Sequence, residues 1–176
     1  MTIELTPYDP AWQSKFEAER LALVAVLAPW LAGSIEHIGS TAIPGLCAKP
    51  VIDIMAPVHS LEASRSAIEA ASQAGYVYFP YKSDVMHWFC KPSPEFRTHH
   101  LHMMPIGSQL WNDRLAFRDA LRGNPTLAAE YATLKTGLAV EFREDREAYT
   151  DAKTPFVNRV LTSIASAQCL KAQEPR

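Results

Sequence analysis

The sequence is poor in cysteine. Its three thiols, at Cys47, Cys90 and Cys169, are widely spaced among 176 residues. An odd number without a C-x-x-C pair excludes a disulfide framework and fits a reducing cytoplasm. We interpret all three as buried structural thiols. Cys47 and Cys90 fall close enough to candidate site segments that either could also flank a site.

Long apolar runs and clusters of one charge are also missing. No segment approaches the roughly 18 consecutive apolar residues of a membrane helix, and the first residues lack the basic and apolar stretches of an export signal. We therefore expect a cytoplasmic protein that does not enter the membrane. The formal net charge is −2 and no Lys/Arg run stands out, so the electrostatic footprint of a nucleic-acid-binding protein is absent. The expected partner is a small ligand, and the oligomeric state is left open.

The chain has enough apolar residues for one sizeable core. They make up 48% of the sequence, and no repeat, low-complexity tract or linker divides it. We expect a single α/β domain over residues 1–167, with its sheet at about 34–105 and a helical subdomain at about 108–167. The polar residues 168–176 are predicted to form a frayed tail.

Hydrophobic periodicity and turn residues predict the order of the elements. A first helix begins at Asp9-Pro10, and two later helices begin near Ser108 and Asn124. The last helix, about 146–167, keeps its apolar phase across Pro155, which predicts one kinked helix. The remaining predicted elements are strands at 34–38, 49–58, 76–81, 86–91 and 98–104 and a helix at 61–74.

Segment 36–55 combines a Gly-Ser-Thr turn with an acid on the following strand. The backbone N–H groups and hydroxyls of Gly39, Ser40 and Thr41 can converge on an anion. The next strand carries Asp53 past the same place as a possible metal ligand. This spacing indicates a phosphate-and-metal site.

Six segments carry a wider resemblance. They are EHIGSTAIPGL at 36–46, KPVIDI at 49–54, RTHHLH at 97–102, LAFRDALR at 115–122, EYATLK at 130–135 and AYTDAK at 148–153. The Gly-Ser turn followed by a strand-borne acid resembles the nucleotidyltransferase fold, in which the turn holds a nucleotide triphosphate and carboxylates hold metal. Within that superfamily the chain resembles the GrpB family of small bacterial proteins, from about Tyr8 to Ile164. The resemblance implies a mixed β-sheet flanked by helices, and that family is defined by sequence and fold.

The strand of Asp53 departs from the parent superfamily's metal site. Nucleotidyl transfer by two ions usually requires two carboxylates two residues apart and a third from a later strand. Here Val51 and Met55 occupy the positions two residues from Asp53, and neither side chain has a carboxylate that could bind such a metal ion. Any further ligands must come from another strand.

Two histidines can supply those ligands. His100 and His102 lie two residues apart in a predicted strand, so they project to one face. With Asp53 they would form a set of two histidines and one carboxylate if the two strands are neighbours. A set so rich in nitrogen suits Zn, Mn, Fe or Ni better than Mg or Ca. We expect a divalent ion, Zn, Mn or Mg, of unassigned identity; a hydrogen-bonded histidine pair without metal is the alternative.

Lysines complete the candidate site. Lys49, Lys135 and Lys153 stand in the segments that carry the family resemblance, and they could balance phosphate charge. Arg118 is a further cation that could meet phosphate. Solvated surface positions are the ordinary alternative for such residues. Glu36 lies just before the turn, where a salt bridge is a better interpretation than a metal ligand.

These observations predict a nucleotidyltransferase-like protein that binds a nucleotide or another phosphorylated small molecule at the Gly39-Ser40-Thr41 turn. Asp53 would be the catalytic carboxylate, and one divalent ion would polarise the phosphoryl oxygen. Two other classes fit the same residues. One is a non-catalytic phosphate-binding module, and the other is a mononuclear metalloenzyme of another reaction type, such as a hydrolase or an iron enzyme.

Overall fold

The structure, a computed structural model, describes the backbone of residues 2–172 and the side chains of residues 2–167. The side chain of Cys169 and residues 173–176 of the predicted tail lie outside what the structure describes. The elements are α1 Ala11–Leu27, β1 Glu36–Ile38, β2 Ile52–Val58, α2 Ala67–Gln73, β3 Val77–Phe79, β4 His87–Pro92, β5 Arg97–Pro105, α3 Gln109–Gly123, α4 Pro125–Glu141, α5 Arg146–Asp151 and α6 Thr154–Ala172. Between β1 and β2, residues Ser40–Ala42 form a single 3₁₀ turn.

The strands form one mixed sheet in the order β1-β2-β5-β4-β3. β2 and β5 run parallel, whereas β1 is antiparallel to β2 and β4 is antiparallel to both β5 and β3. The predicted mixed α/β architecture is therefore confirmed. The β2–β5 register sets Asp53 beside His100 and Met55 beside His102, so the two strands are neighbours, as the candidate site requires.

Alternation along the strands separates the two faces of the sheet. On one face, Ile54, Leu101 and Met103 join the large core that packs against α1 and α2. On the other face, Met55 and Trp88 pack with Trp111 of α3 in a smaller core. Because side chains two residues apart share a face, Asp53, His100 and His102 belong to this second face.

The C-terminal helices are fastened to the loop that follows the Gly-Ser-Thr turn. Ile43 and Leu46 of that loop pack with Tyr131 of α4 and Phe156 of α6. Predicted caps start two of these helices: the Ser108 hydroxyl accepts from Trp111 N, and Asn124 Oδ1 accepts from Leu127 N. The helical subdomain thus lies over the turn and one half of the second face.

Two predicted helices have different bounds. Residues 61–66 form turns, and the α-helix begins only at Ala67. The Leu61 carbonyl accepts from the Ser64 hydroxyl and from His87 Nε2, and this competes with a regular helical bond. The predicted kinked helix at 146–167 is wrong: it is two helices, α5 and α6. Pro155 lies in the first turn of α6, where its missing N–H leaves no intrahelical bond unmade.

Strand bounds shift by a few residues. β1 begins at Glu36 and β2 at Ile52, and β3 covers Val77–Phe79 only. At the other end of the chain, the backbone of residues 168–172 continues α6, so the described part of the predicted tail is helical. Among the helices of residues 2–172, none has the length and apolar content that crossing a bilayer would demand.

Candidate functional site

A cleft of about 670 Å³ opens between the second face of the sheet and the C-terminal helices. It is deep enough to hold a small organic ligand. Of the sequence-predicted site residues, all but Gly39 line it: Ser40, Thr41, Lys49, Asp53, His100, His102, Lys135 and Lys153. The fold therefore brings the turn, the strand pair and the helical lysines to one place.

Asp53 and the two histidines form the floor of the cleft. Asp53 Oδ1 lies 2.9 Å from His100 Nδ1 and 3.7 Å from His102 Nε2. One ligating atom from each of the three residues lies within 4.8 Å of the others. Two ligand atoms on an ion with bonds of about 2.0–2.2 Å lie about 3–3.5 Å apart, so this spacing suits a shared ion.

Burial and mutual contacts set the charges of this trio. Burial would raise the pKa of Asp53, but the hydrogen bond from His100 and the nearby His102 ring hold it well below its usual range. Burial and the nearby Arg114 charge lower the pKa of His102 to about 3. Asp53 is thus a carboxylate and His102 a neutral imidazole at physiological pH, which are the forms that bind metal.

The trio also shows the hydrogen-bonded alternative. A carboxylate can only accept, so His100 Nδ1 donates to Asp53 Oδ1 in this structure. Among the described residues, His100 Nε2 and His102 Nδ1 are buried without a hydrogen-bond partner. A bound ion would replace the Nδ1 proton of His100.

Residue 39 must be glycine because the carboxylate of Asp53 lies against its backbone. Its backbone has φ +72° and ψ −172°, a region that is almost confined to glycine. A Cβ placed there would lie 2.4 Å from Asp53 Oδ2. The sequence predicts that Gly39 lets the backbone approach phosphate; the structure adds that it lets the turn approach Asp53.

The two hydroxyls of the turn have different surroundings. Ser40 Oγ accepts a hydrogen bond of 3.0 Å from Lys135 Nζ at the cleft. Thr41 is buried, and its hydroxyl donates to Val51 O at 3.4 Å and meets His37 Nε2 at 3.0 Å. Thr41 thus has two partners within the protein, and hydrogen bonds from both hydroxyls to a ligand stay a prediction.

Lys135 is a buried cation that ties α4 to the turn. It is 2% exposed, and its Nζ donates to Ser40 Oγ and to the carbonyl of Cys47. Its Nζ also lies 5.1 Å from the centre of the Tyr131 ring. Burial lowers its pKa to about 8. The sequence left a solvated surface position and a pocket position open for Lys135. In the structure Lys135 lines the cleft.

Lys49 and Lys153 share one aromatic ring. Their Nζ atoms lie 4.4 Å and 4.3 Å from the centre of Tyr149 on α5. Burial lowers the pKa of Lys49 to about 8 and also lowers that of Lys153. Within the described residues, neither lysine nor Lys135 pairs with a carboxylate. These three cations are available to an anionic ligand.

Arg118 belongs to the scaffold and does not line the cleft. Its guanidinium lies 2.7 Å from Glu36 Oε2, 2.7 Å from Asp119 Oδ1 and 3.0 Å from the His37 carbonyl oxygen. The interpretation of Glu36 as a salt-bridge partner fits this geometry. The interpretation of Arg118 as a phosphate-binding cation does not, because carboxylates already surround it.

Among the cleft cations that sequence reasoning missed, Arg114 lies on α3, one turn before Arg118. It lines the cleft, and the Asp53 charge acts on it while burial lowers its pKa. Residues four apart lie on one helical face, so the four-residue spacing from Arg118 was the sequence signal that could have identified Arg114 as a candidate. Arg97 of β5, Tyr81 and Trp88 also line the cleft and were not predicted as site residues.

The lining of the cleft is strongly cationic, although the whole chain has a net charge of −2. Seven cationic side chains line it against the three carboxylates of Asp53, Glu147 and Asp151. The cations are Lys49, Lys82, Arg97, Arg114, Lys135, Arg146 and Lys153. Such a concentration in one concave site attracts anions and raises their local concentration.

Comparisons with known proteins assign the family. A family model described as GrpB protein matches residues 2–163. The chain is 43% identical over 174 residues to a UPF0157 protein of Pseudomonas aeruginosa, covering 94% of this chain and 69% of that protein. It is 32% identical over 165 residues to the glutamate-rich protein GrpB of Alkalihalophilus pseudofirmus, covering 91% of this chain and 94% of that protein.

A solved structure and a distant relative complete the comparison. The crystal structure of the conserved protein GrpB from Enterococcus faecalis matches with a TM-score of 0.82 and 34% identity, over 91% of this chain and 96% of that one. A dephospho-CoA kinase of Mycolicibacterium paratuberculosis is 27% identical over 180 residues, covering 88% of this chain but only 44% of the kinase. From its motifs, its fold and these matches, the chain belongs to the GrpB family.

Proposed function

We propose that this protein binds a phosphorylated small molecule in the cleft and, with one divalent ion, transfers a phosphoryl or nucleotidyl group. The observation that carries the proposal is the surplus of cations around one carboxylate-histidine trio. Lys49, Lys135 and Lys153 have no carboxylate partner among the described residues, and each is at least half-buried. Placing such cations in a cleft is costly unless an anion occupies it.

Each cation of the cleft would contact a different part of the phosphorylated ligand, according to its position. Lys135 holds Ser40 at the mouth of the turn, so one phosphate oxygen can meet both groups. Lys49 and Lys153 approach from the side of α5, and Arg114 approaches from α3 beside Asp53. Fixed cations on several sides of a phosphoryl group orient it and stabilise the charge that develops during transfer.

The trio fits a single divalent ion. Asp53, His100 and His102 would hold it, and when bound it supplies Lewis-acid polarisation of a phosphoryl oxygen. The mixed nitrogen and oxygen donors favour Zn²⁺ or Mn²⁺ over Mg²⁺. Met55, beside His102 in the register, leaves the strand with one carboxylate, so a two-ion site of the usual kind has no second acid here.

That single carboxylate also favours a second candidate function. A protein that keeps the cationic cleft and lacks the second carboxylate can act as a phosphate-binding module without turnover. The kinase activity of the distant relative does not decide between the two, because this chain spans less than half of that protein.

Calorimetric titration with inorganic pyrophosphate and with nucleoside triphosphates tests the proposal, with and without Mn²⁺. The wild type should bind with Mn²⁺-dependent affinity, and Lys135→Met should weaken binding. Lys15→Met is the matched control, because Lys15 is exposed on α1 and pairs with Asp9 outside the cleft. Phosphorus NMR of the same samples should show hydrolysis of a triphosphate, with water as the acceptor of the phosphoryl or nucleotidyl group. Binding without metal dependence or conversion would favour the module, and the absence of all binding at millimolar concentration would overturn both.

A further inference from the structure

One wall of the cleft is aromatic and lies toward the β3 edge of the sheet, away from Lys135. Phe79 ends β3, Tyr81 follows it, and Trp88 is on β4. All three line the cleft. Lys135 donates to Ser40 in the turn that follows β1 and lies against Asp53 of β2, and β5 and β4 lie between β2 and β3. The cleft therefore has an anion-binding side and an aromatic side.

Two of these rings are open to a ligand. Phe79 is 41% exposed and Tyr81 is 48% exposed, whereas Trp88 is 8% exposed. Trp88 lies edge-on to both rings, at 6.1 Å from Phe79 and 6.2 Å from Tyr81 between ring centres. This contact holds the two exposed rings around a buried indole. Their open surface can stack on a flat apolar group, as aromatic side chains in nucleotide-binding clefts do.

The rings carry cationic neighbours. Arg97 Cζ lies 5.3 Å from the centre of the Trp88 ring, and Lys82 Nζ lies 5.4 Å from that of Tyr81. A heteroaromatic base offers carbonyl oxygens and ring nitrogens that accept from such donors, whereas an acyl chain offers no acceptor. The wall is suited to a flat, polar-edged ring more than to a lipid tail.

The spacing of the two sides suits one extended ligand. Neighbouring strands lie about 4.8 Å apart, so the three steps from β2 through β5 and β4 to β3 cover about 14 Å. A bare phosphate bound beside Lys135 and Ser40 cannot also contact Phe79 across that width. A nucleoside phosphate, with its anionic group at one end and its base at the other, can contact both.

We infer that Phe79, Tyr81 and Trp88 form a base-stacking subsite, and that the ligand of the cleft is a nucleoside phosphate. The inference rests on the proposed function, since it names the class of phosphorylated ligand. Stacking on an aromatic ring tolerates any base, so the subsite accepts purines and pyrimidines alike. Discrimination among the bases would fall to the polar groups at the rim, Lys82 and Arg97.

Titration of the 176-residue chain with ATP, GTP, CTP, UTP and inorganic tripolyphosphate tests the subsite. Tyr81→Ala should weaken nucleotide binding by about 5- to 150-fold, the loss expected for one stacked base. The same variant should leave tripolyphosphate affinity unchanged, because that probe has no base. Tyr81→Trp should restore nucleotide binding. Phe96→Ala is the control, since Phe96 is 65% exposed and does not line the cleft.

The outcomes separate the subsite from the function on which it rests. If Tyr81→Ala and Phe79→Ala leave nucleotide and tripolyphosphate affinities alike unchanged, the stacking subsite is wrong while phosphate binding stands. The same conclusion follows if both probes weaken equally. If neither the nucleotides nor tripolyphosphate bind the wild type at millimolar concentration, the proposed function fails and the subsite fails with it.

Discussion

Gly39 offers a prediction whose magnitude follows from the structure. In Gly39→Ala the new Cβ would lie 2.4 Å from Asp53 Oδ2 and 3.0 Å from Asp53 Cβ. Holding a residue with a side chain at φ +72° costs about 1–3 kcal/mol, and relieving the overlap costs about 1–3 kcal/mol more. The free energy of unfolding should therefore fall by about 2–6 kcal/mol, measured by chemical denaturation.

Gly45→Ala is a control in the same loop region. Gly45 has φ +77°, but a Cβ there would meet no heavy atom within 4 Å. We expect Gly45→Ala to show the backbone cost alone, about 1–2 kcal/mol. The loss should be larger for Gly39→Ala, because only that variant adds the steric conflict with Asp53.

A double-mutant cycle identifies Asp53 as the source of that conflict. In an Asp53→Ala background the carboxylate is gone, so Gly39→Ala should cost less by about 1 kcal/mol or more. Equal costs of Gly39→Ala in the two backgrounds, or a cost no larger than that of Gly45→Ala, would refute the reasoning. Asp53 would then not be packed against the turn.

Three further predictions concern the cleft and its scaffold. Asp53→Ala and His100→Ala should each abolish stoichiometric Mn²⁺ binding in a calorimetric titration, while His87→Ala, whose ring bonds to the Leu61 carbonyl outside the cleft, should retain it. Phosphate-ligand affinity should fall as the pH rises through about 8, because the buried Lys135 and the half-buried Lys49 must both be charged to bind an anion; Lys135→Met should remove part of that fall and Lys135→Met with Lys49→Met the rest. Arg118→Met should lower the free energy of unfolding by about 2–3 kcal/mol in urea, through loss of its charged hydrogen bonds, and leave phosphate-ligand affinity unchanged.

The floor of the cleft could be predicted because strand periodicity is strict. Because His100 and His102 are two residues apart in a strand, their side chains lie on one face. The apolar residues on both sides of Asp53 place Asp53 within a strand. That the two strands are neighbours depends on the tertiary structure, so from the sequence it could only be a condition of the predicted site. Their function as metal ligands stays a prediction.

The helical part of the site was harder to predict. Arg114 and Arg118 lie on one face of α3, and the sequence pattern cannot say that only Arg114 reaches the cleft while Arg118 meets Glu36. The burial of Lys135 depends on how α4 packs over the turn, which apolar spacing does not fix. Likewise, a proline in the middle of a helix kinks it, whereas a proline in the first turn is compatible with the start of a helix. The sequence around Pro155 allows both, and only tertiary packing decides between them.

A crystal structure with Mn²⁺ and a non-hydrolysable nucleoside triphosphate tests the central claim most directly. The account predicts one anomalous Mn²⁺ peak bonded to Asp53, His100 and His102, with the phosphates against Lys135 and Ser40 in the same cleft. Phosphate density outside the cleft, or a cleft that holds nucleotide while the trio binds no Mn²⁺, would contradict it.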